Sequence, residues 1–92
     1  MKASDCTFDK MMVVAAANPM LAEAASYIQV EYGLAELQAC WDGFVDTSDH
    51  VGQEFKSRKQ ICAEFTYALT EYIHYLGESS HLQVGSKIPA DS

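Results

Sequence analysis

Positive charge is scarce in this chain of 92 residues: 6 Lys and Arg stand against 13 Asp and Glu, a formal net charge of −7. Proteins that hold nucleic acid directly replace its counterions with a basic patch, so that class is excluded. Long apolar runs are absent as well, and nothing approaches the roughly 20 residues of a membrane helix. Met11–Ala17 is apolar, but Asp5 and Asp9 precede it where a signal peptide carries positive charge. The expectation is a cytoplasmic protein, in the producing cell or a host. Glycine occurs five times, always singly, at 33, 43, 52, 77 and 85, so no glycine-rich phosphate loop is present. The three cysteines, Cys6, Cys40 and Cys62, are far apart and include no Cys-x-x-Cys pair. That pattern is neither a disulfide framework nor a zinc knuckle; it reads as buried, reduced thiols. His50, His74 and His81 sit in unrelated contexts, and none completes a Ser-His-Asp or Cys-His arrangement. No catalytic residue, metal ligand or cofactor is assigned, and the chain reads as non-enzymatic.

What is there is apolar and helically spaced. Hydrophobic residues make up 49% of the chain, too many for disorder, and the length holds one domain. Phe8, Met11, Met12 and Ala15 mark a first helix from Asp5 to Ala17, with Ser4 or Asp5 as its cap. Asn18-Pro19 is a boundary, and Pro19 suits the first turn of the next helix. From Pro19 to about Val45, Leu21, Ala24, Ala25 and Ile28 form one stripe. Tyr27, Val30, Leu34, Leu37, Trp41 and Phe44 form a second, at heptad spacing, with Gly33 between the two. This segment is one bent helix or two helices meeting at Gly33. Asp46–His50 reads as a turn, with Ser48 or Asp49 capping a last helix from about Asp49 to Leu76. Cys62, Leu69 and Leu76 repeat at heptad spacing there, in line with Phe55, and Ile61, Phe65, Ala68, Tyr72, Ile73 and Tyr75 broaden the face. Gly77 is placed to end that helix, and residues 78–92 read as a polar, irregular tail. The fold class is therefore all-α: a small antiparallel bundle of three or four helices, helical over 5–77. The breadth of the last stripe suggests a homodimer.

Charge placement says more than its total. Between Lys10 and Lys56 there is no Lys or Arg, while Glu23, Glu31, Glu36, Asp42, Asp46, Asp49 and Glu54 all fall in that stretch. Asp42, Asp46 and Asp49 follow i, i+4, i+7 spacing, so a continuing helix would put them on one face. Unrelieved like charge opposes folding, and a chain that carries it is suited to a basic partner. The candidate protein-binding residues are Glu31, Glu36, Asp42, Asp46 and Asp49. Tyr32 and Tyr67 join them because they fall off the apolar stripes, and tyrosine is enriched in interfaces. The partner expected is a larger protein with a basic surface, including one that normally holds nucleic acid. The protein itself would be a small acidic antagonist, of the kind phages and bacteria use against nucleases, regulators or toxins. Glu71 and His74 form a Glu-x-x-His pair on one helical face. A metal-binding bundle, with Glu31 or Glu64 as a further ligand, is the second alternative, although that face lies opposite the Cys62–Leu69–Leu76 stripe.

Trp41-Asp42-Gly43 resembles the Trp-x-Gly turn of the secreted WXG100 helical-hairpin proteins, and Tyr67 to Glu71 matches their Tyr-x-x-x-acid export pattern. That resemblance implies a hairpin turned at Trp41–Gly43, export, and a second small helical partner. The seam from Leu34 through Leu37, Trp41 and Phe44 instead reads as continuous helix across the same residues.

Overall fold

The computed structural model describes residues 1–87, with side chains as far as Gly77. Among the described residues there are four α-helices and no strand: α1 (Phe8–Ala16), α2 (Pro19–Tyr32), α3 (Leu34–His50) and α4 (Arg58–Lys87). A single 3-10 turn, Ala3–Asp5, precedes them. The all-helical reading holds, with four helices in the bundle.

Side-chain oxygens set the starts of the helices. Thr7 Oγ1 accepts from the Lys10 N–H at 3.2 Å, so α1 begins at Phe8. Ser4 and Asp5, expected as its caps, belong to the 3-10 turn. Asn18 Oδ1 accepts from the Leu21 N–H at 3.2 Å, with Pro19 at the first helical position as expected. Ser57 Oγ accepts from the Gln60 N–H at 3.2 Å, and Gln60 Oε1 accepts from the Lys56 N–H at 2.6 Å. This reciprocal pair, close to a capping box, starts α4.

Gly33 resolves the alternative left open by sequence. It has φ 100° and ψ 161°, a conformation essentially closed to residues with a side chain, and it separates α2 from α3 as a single residue. The break also divides the long heptad seam. Leu37 and Trp41, on α3, are buried, whereas Tyr27, Val30 and Leu34 are exposed at 41%, 77% and 49%. A helix that changes direction at Gly33 cannot keep one stripe facing one way.

The stop after α3 lies further on than Asp46–His50 suggested. Those residues are helical, because the termination signal is Gly52 at φ 72°. The Gln53 N–H donates to the Ser48 carbonyl at 2.9 Å and the Gly52 N–H to the Asp49 carbonyl at 3.1 Å. That is a Schellman ending, which satisfies two carbonyls the helix would otherwise leave bare. The last helix therefore begins at Arg58, not Asp49. Gly77 does not end it: α4 continues to Lys87, so 78–87 is helix rather than irregular tail. An interior glycine lowers helix stability by only about 1 kcal/mol, which is not a stop. Residues 88–92, the rest of that tail, lie outside the described residues. Trp41–Gly43 sit inside α3, where the WXG100 resemblance implied a turn.

Met11, Leu21, Ile28, Leu37, Ile61, Phe65 and Leu69 make a fully buried core. Alpha helix α2 packs on both α3 and α4, α1 bridges α2 and α4, and the 3-10 turn seats on α3. The broad stripe of α4 is thus met by three helices of the same chain. At 30 residues, α4 is about 45 Å long, close to the 49 Å long axis of the molecule. The radius of gyration is 15.3 Å, above the roughly 12 Å of a compact chain this size, because α4 outruns the bundle.

Candidate functional site

Helix α3 carries the charged residues singled out by sequence, and its continuity to His50 decides their placement. Asp42, Asp46 and Asp49 lie on one face, turned away from the buried Leu37 and Trp41. Asp42 and Asp46 are exposed. They wall one side of a cleft of about 440 Å³ whose other side is the N-terminal segment, with Ser4, Thr7 and Phe8. Asp49 is half-buried, and its Oδ1 is enclosed without a hydrogen-bond donor. Among the described residues no Lys or Arg side chain forms an ion pair with any of the three.

These charges also oppose the helix that bears them. Asp46 and Asp49 lie near the C-terminus of α3, where the helix dipole favours cations. Across the connection, Arg58 and Lys59 occupy the first turn of α4, which contains no acid, although the dipole favours anions there.

The remaining candidates are dispersed. Glu36 lies on a different face of α3, half-buried, and accepts a hydrogen bond from Tyr72 Oη at 2.7 Å on Oε2. Tyr32 ends α2, half exposed, close enough to Tyr72 to act on its ionisation. Glu31 is exposed beside it in sequence. Tyr67 is 69% exposed on the outer side of α4, as are Glu64, Glu71 and His74. The Glu-x-x-His pair therefore faces solvent, and among the described residues no three acid, His or Cys side chains are grouped to hold a metal.

Two features escaped sequence reasoning. One is a groove of about 410 Å³ between α3 and α4, with Glu36 and Tyr72 at one end. Its only sequence signal is small residues facing each other, Ala39 and Gly43 on α3 and Ala68 on α4. The other is the meeting of the Cys6 and Cys62 thiols, both buried and both free. Burial, then the neighbouring Cys6 thiol, pushes Cys62 up to about 12. Burial likewise raises Cys6 and Cys40. The bond to Glu36, then burial, pushes Tyr72 up to about 12.

These shifts have one sign and predict alkaline unfolding. Raised values mean that the unfolded chain releases these protons first, so stability is complete below pH 9 and falls as pH rises from 9 through 12. Urea midpoints measured across that range should decline, and Tyr72→Phe should make the decline shallower above pH 10. A midpoint that stays flat to pH 11 would contradict both environments.

Comparison with protein-family models, with curated proteins and with solved structures finds no match to this chain.

Proposed function

We propose that this protein is a non-enzymatic antagonist that docks the acidic face of α3 on a basic surface of a larger protein and blocks it sterically and electrostatically. The observation that carries this reading is the placement of Asp42, Asp46 and Asp49: one face, no ion-pair partner among the described residues, and two of the three set against the helix dipole. Such charges weaken the fold they belong to. A lysine or arginine from outside would relieve the repulsion between them. The adjoining cleft, with the half-buried Phe8 and Val45 in its wall, offers apolar surface beside the acids. A partner that normally holds nucleic acid would present this complementary charge, and long-range attraction would speed the encounter.

The test separates stability from binding. Asp42→Lys, Asp46→Lys and Asp49→Lys together should leave the helical circular dichroism signal intact. Asp46→Lys alone should raise stability by about 0.3–1 kcal/mol, because it corrects the charge at the α3 C-terminus. The triple variant should nevertheless fail to retain the basic protein that the immobilised wild type captures from producing or host cells, and should no longer compete with nucleic acid for it. Equal capture by both proteins would overturn the reading.

A further inference from the structure

The groove lies between α3 and α4, which pack on each other less extensively than α2 packs on either. Its accessible walls are the half-buried Phe44, Cys40 and Tyr72, over a floor closed by the buried Phe65 and Leu69, and the small residues Ala39, Gly43 and Ala68 leave the space unfilled. A Cβ built on Gly43 meets nothing within 4 Å. Its lining spans Glu36 to Thr47 on α3, about 16 Å of helix. A volume of about 410 Å³ with few polar groups falls in the range of small-molecule sites.

The charge around it narrows the ligand. No Lys or Arg lines the groove, none occurs on α3, and none occurs on α4 between Lys59 and Lys87. The one charged side chain that lines it is an acid, Glu36. A carboxylate or phosphate ligand is repelled, and a second copy of this face brings like charge against like. The polar end is a carboxylate held in place: Tyr72 Oη donates to Glu36 Oε2 at 2.7 Å, which fixes Glu36 and leaves its other oxygen for a second donor. An ammonium is the donor that neutralises the charge as well as filling the hydrogen bond.

We propose that this groove binds a small amphipathic amine, with its aromatic or alkyl body against Phe44 and Tyr72 over Ala39, Gly43 and Ala68, and its ammonium on Glu36. The site is separate from the acidic face of α3 and stands or falls independently of the antagonist reading.

Three probes that share one ring test it by titration calorimetry on the wild-type chain: 1-naphthylmethylamine, 1-naphthylmethanol and 1-naphthylacetate. The amine should bind at least about tenfold more tightly than the alcohol, and the carboxylate should not bind. Glu36→Gln should erase the amine's advantage and leave the alcohol unchanged. Gly43→Leu and, separately, Ala68→Phe should weaken the amine at least about tenfold with the helical signal retained, because each fills the groove. Amide shifts on the wild-type protein, centred on Gly43, Ala68 and Tyr72, provide a readout that needs no variant. Absence of amine binding, equal binding of amine and carboxylate, or shifts centred elsewhere would overturn the proposal.

Discussion

Phe65→Ala should lower the stability of the fold by about 3–5 kcal/mol. Phe65 is 1% exposed and lies at the centre of an aromatic group. Its ring meets Trp41 edge-on at 4.9 Å and Phe44 at 5.4 Å, and Trp41 and Phe44 are 5.7 Å apart. Phe44 extends the group to Phe55, in the connection before α4, at 6.4 Å. Truncation removes both the buried ring and the edge contacts that orient its neighbours. A domain of this size has roughly 5–14 kcal/mol in total, so the loss is about a fifth of it or more. The thermal midpoint should fall by roughly 12–40 °C, read by circular dichroism. Tyr67→Ala, two residues along the same helix but 69% exposed, should change stability by no more than about 0.5 kcal/mol. Equal effects at the two positions would contradict the assignment of the α4 core face.

Gly33→Ala is the second large effect, and its origin is different. Beyond the two adjoining residues no atom lies within 4 Å of the added Cβ, so tertiary crowding contributes nothing. The cost comes from the backbone alone: φ 100° with ψ 161° is a glycine conformation, and alanine there is strained by about 1–3 kcal/mol. The strain also acts on the topology. A side chain at 33 favours continuing α2 into α3, which would swing Leu37 and Trp41 off the core. Gly43→Ala is the matched control, because Gly43 is helical and also faces open space. There alanine should stabilise by about 0.5–1 kcal/mol. Opposite signs at two glycines ten residues apart, measured by urea unfolding, would confirm that Gly33 is a hinge and Gly43 a vacancy. A stabilised Gly33→Ala would refute the hinge.

Much of the architecture was legible before any coordinates. Pro19 and Asn18 marked a boundary correctly, because a proline lacks the N–H that only a first turn can spare. The stripe Leu21, Ala24, Ala25 and Ile28 is buried as its spacing required. Other local signals misled. Asp46–His50 has turn composition, yet those residues stay helical because Gly52 supplies the positive φ that ends α3. Gly77 resembled a cap, yet α4 runs through it. Composition reports a preference worth about 1 kcal/mol per residue, and a helix of 30 residues with buried Ile61, Phe65 and Leu69 overrides it.

The candidate site divides the same way. The i, i+4, i+7 spacing of Asp42, Asp46 and Asp49 was in the sequence, and so was the lack of any basic residue nearby. Whether they share a face depended on where α3 stopped. Glu36 shows the limit most clearly: sequence grouped it with those acids, but it lies on another face, bonded to Tyr72 from a helix 36 positions away. The Cys6–Cys62 contact joins residues that no spacing rule connects.

By itself, then, the amino-acid order determined an all-helical chain, its apolar stripes and a one-signed central charge, since periodicity and charge are local properties of the chain. Only the tertiary structure decided which half of the Tyr27–Phe44 seam is buried, which acids stand together, and that α3 and α4 leave a groove between them. Those depend on the angle at Gly33 and on how three helices crowd against α4, and both arise from packing across long sequence separations, where local propensity carries no information.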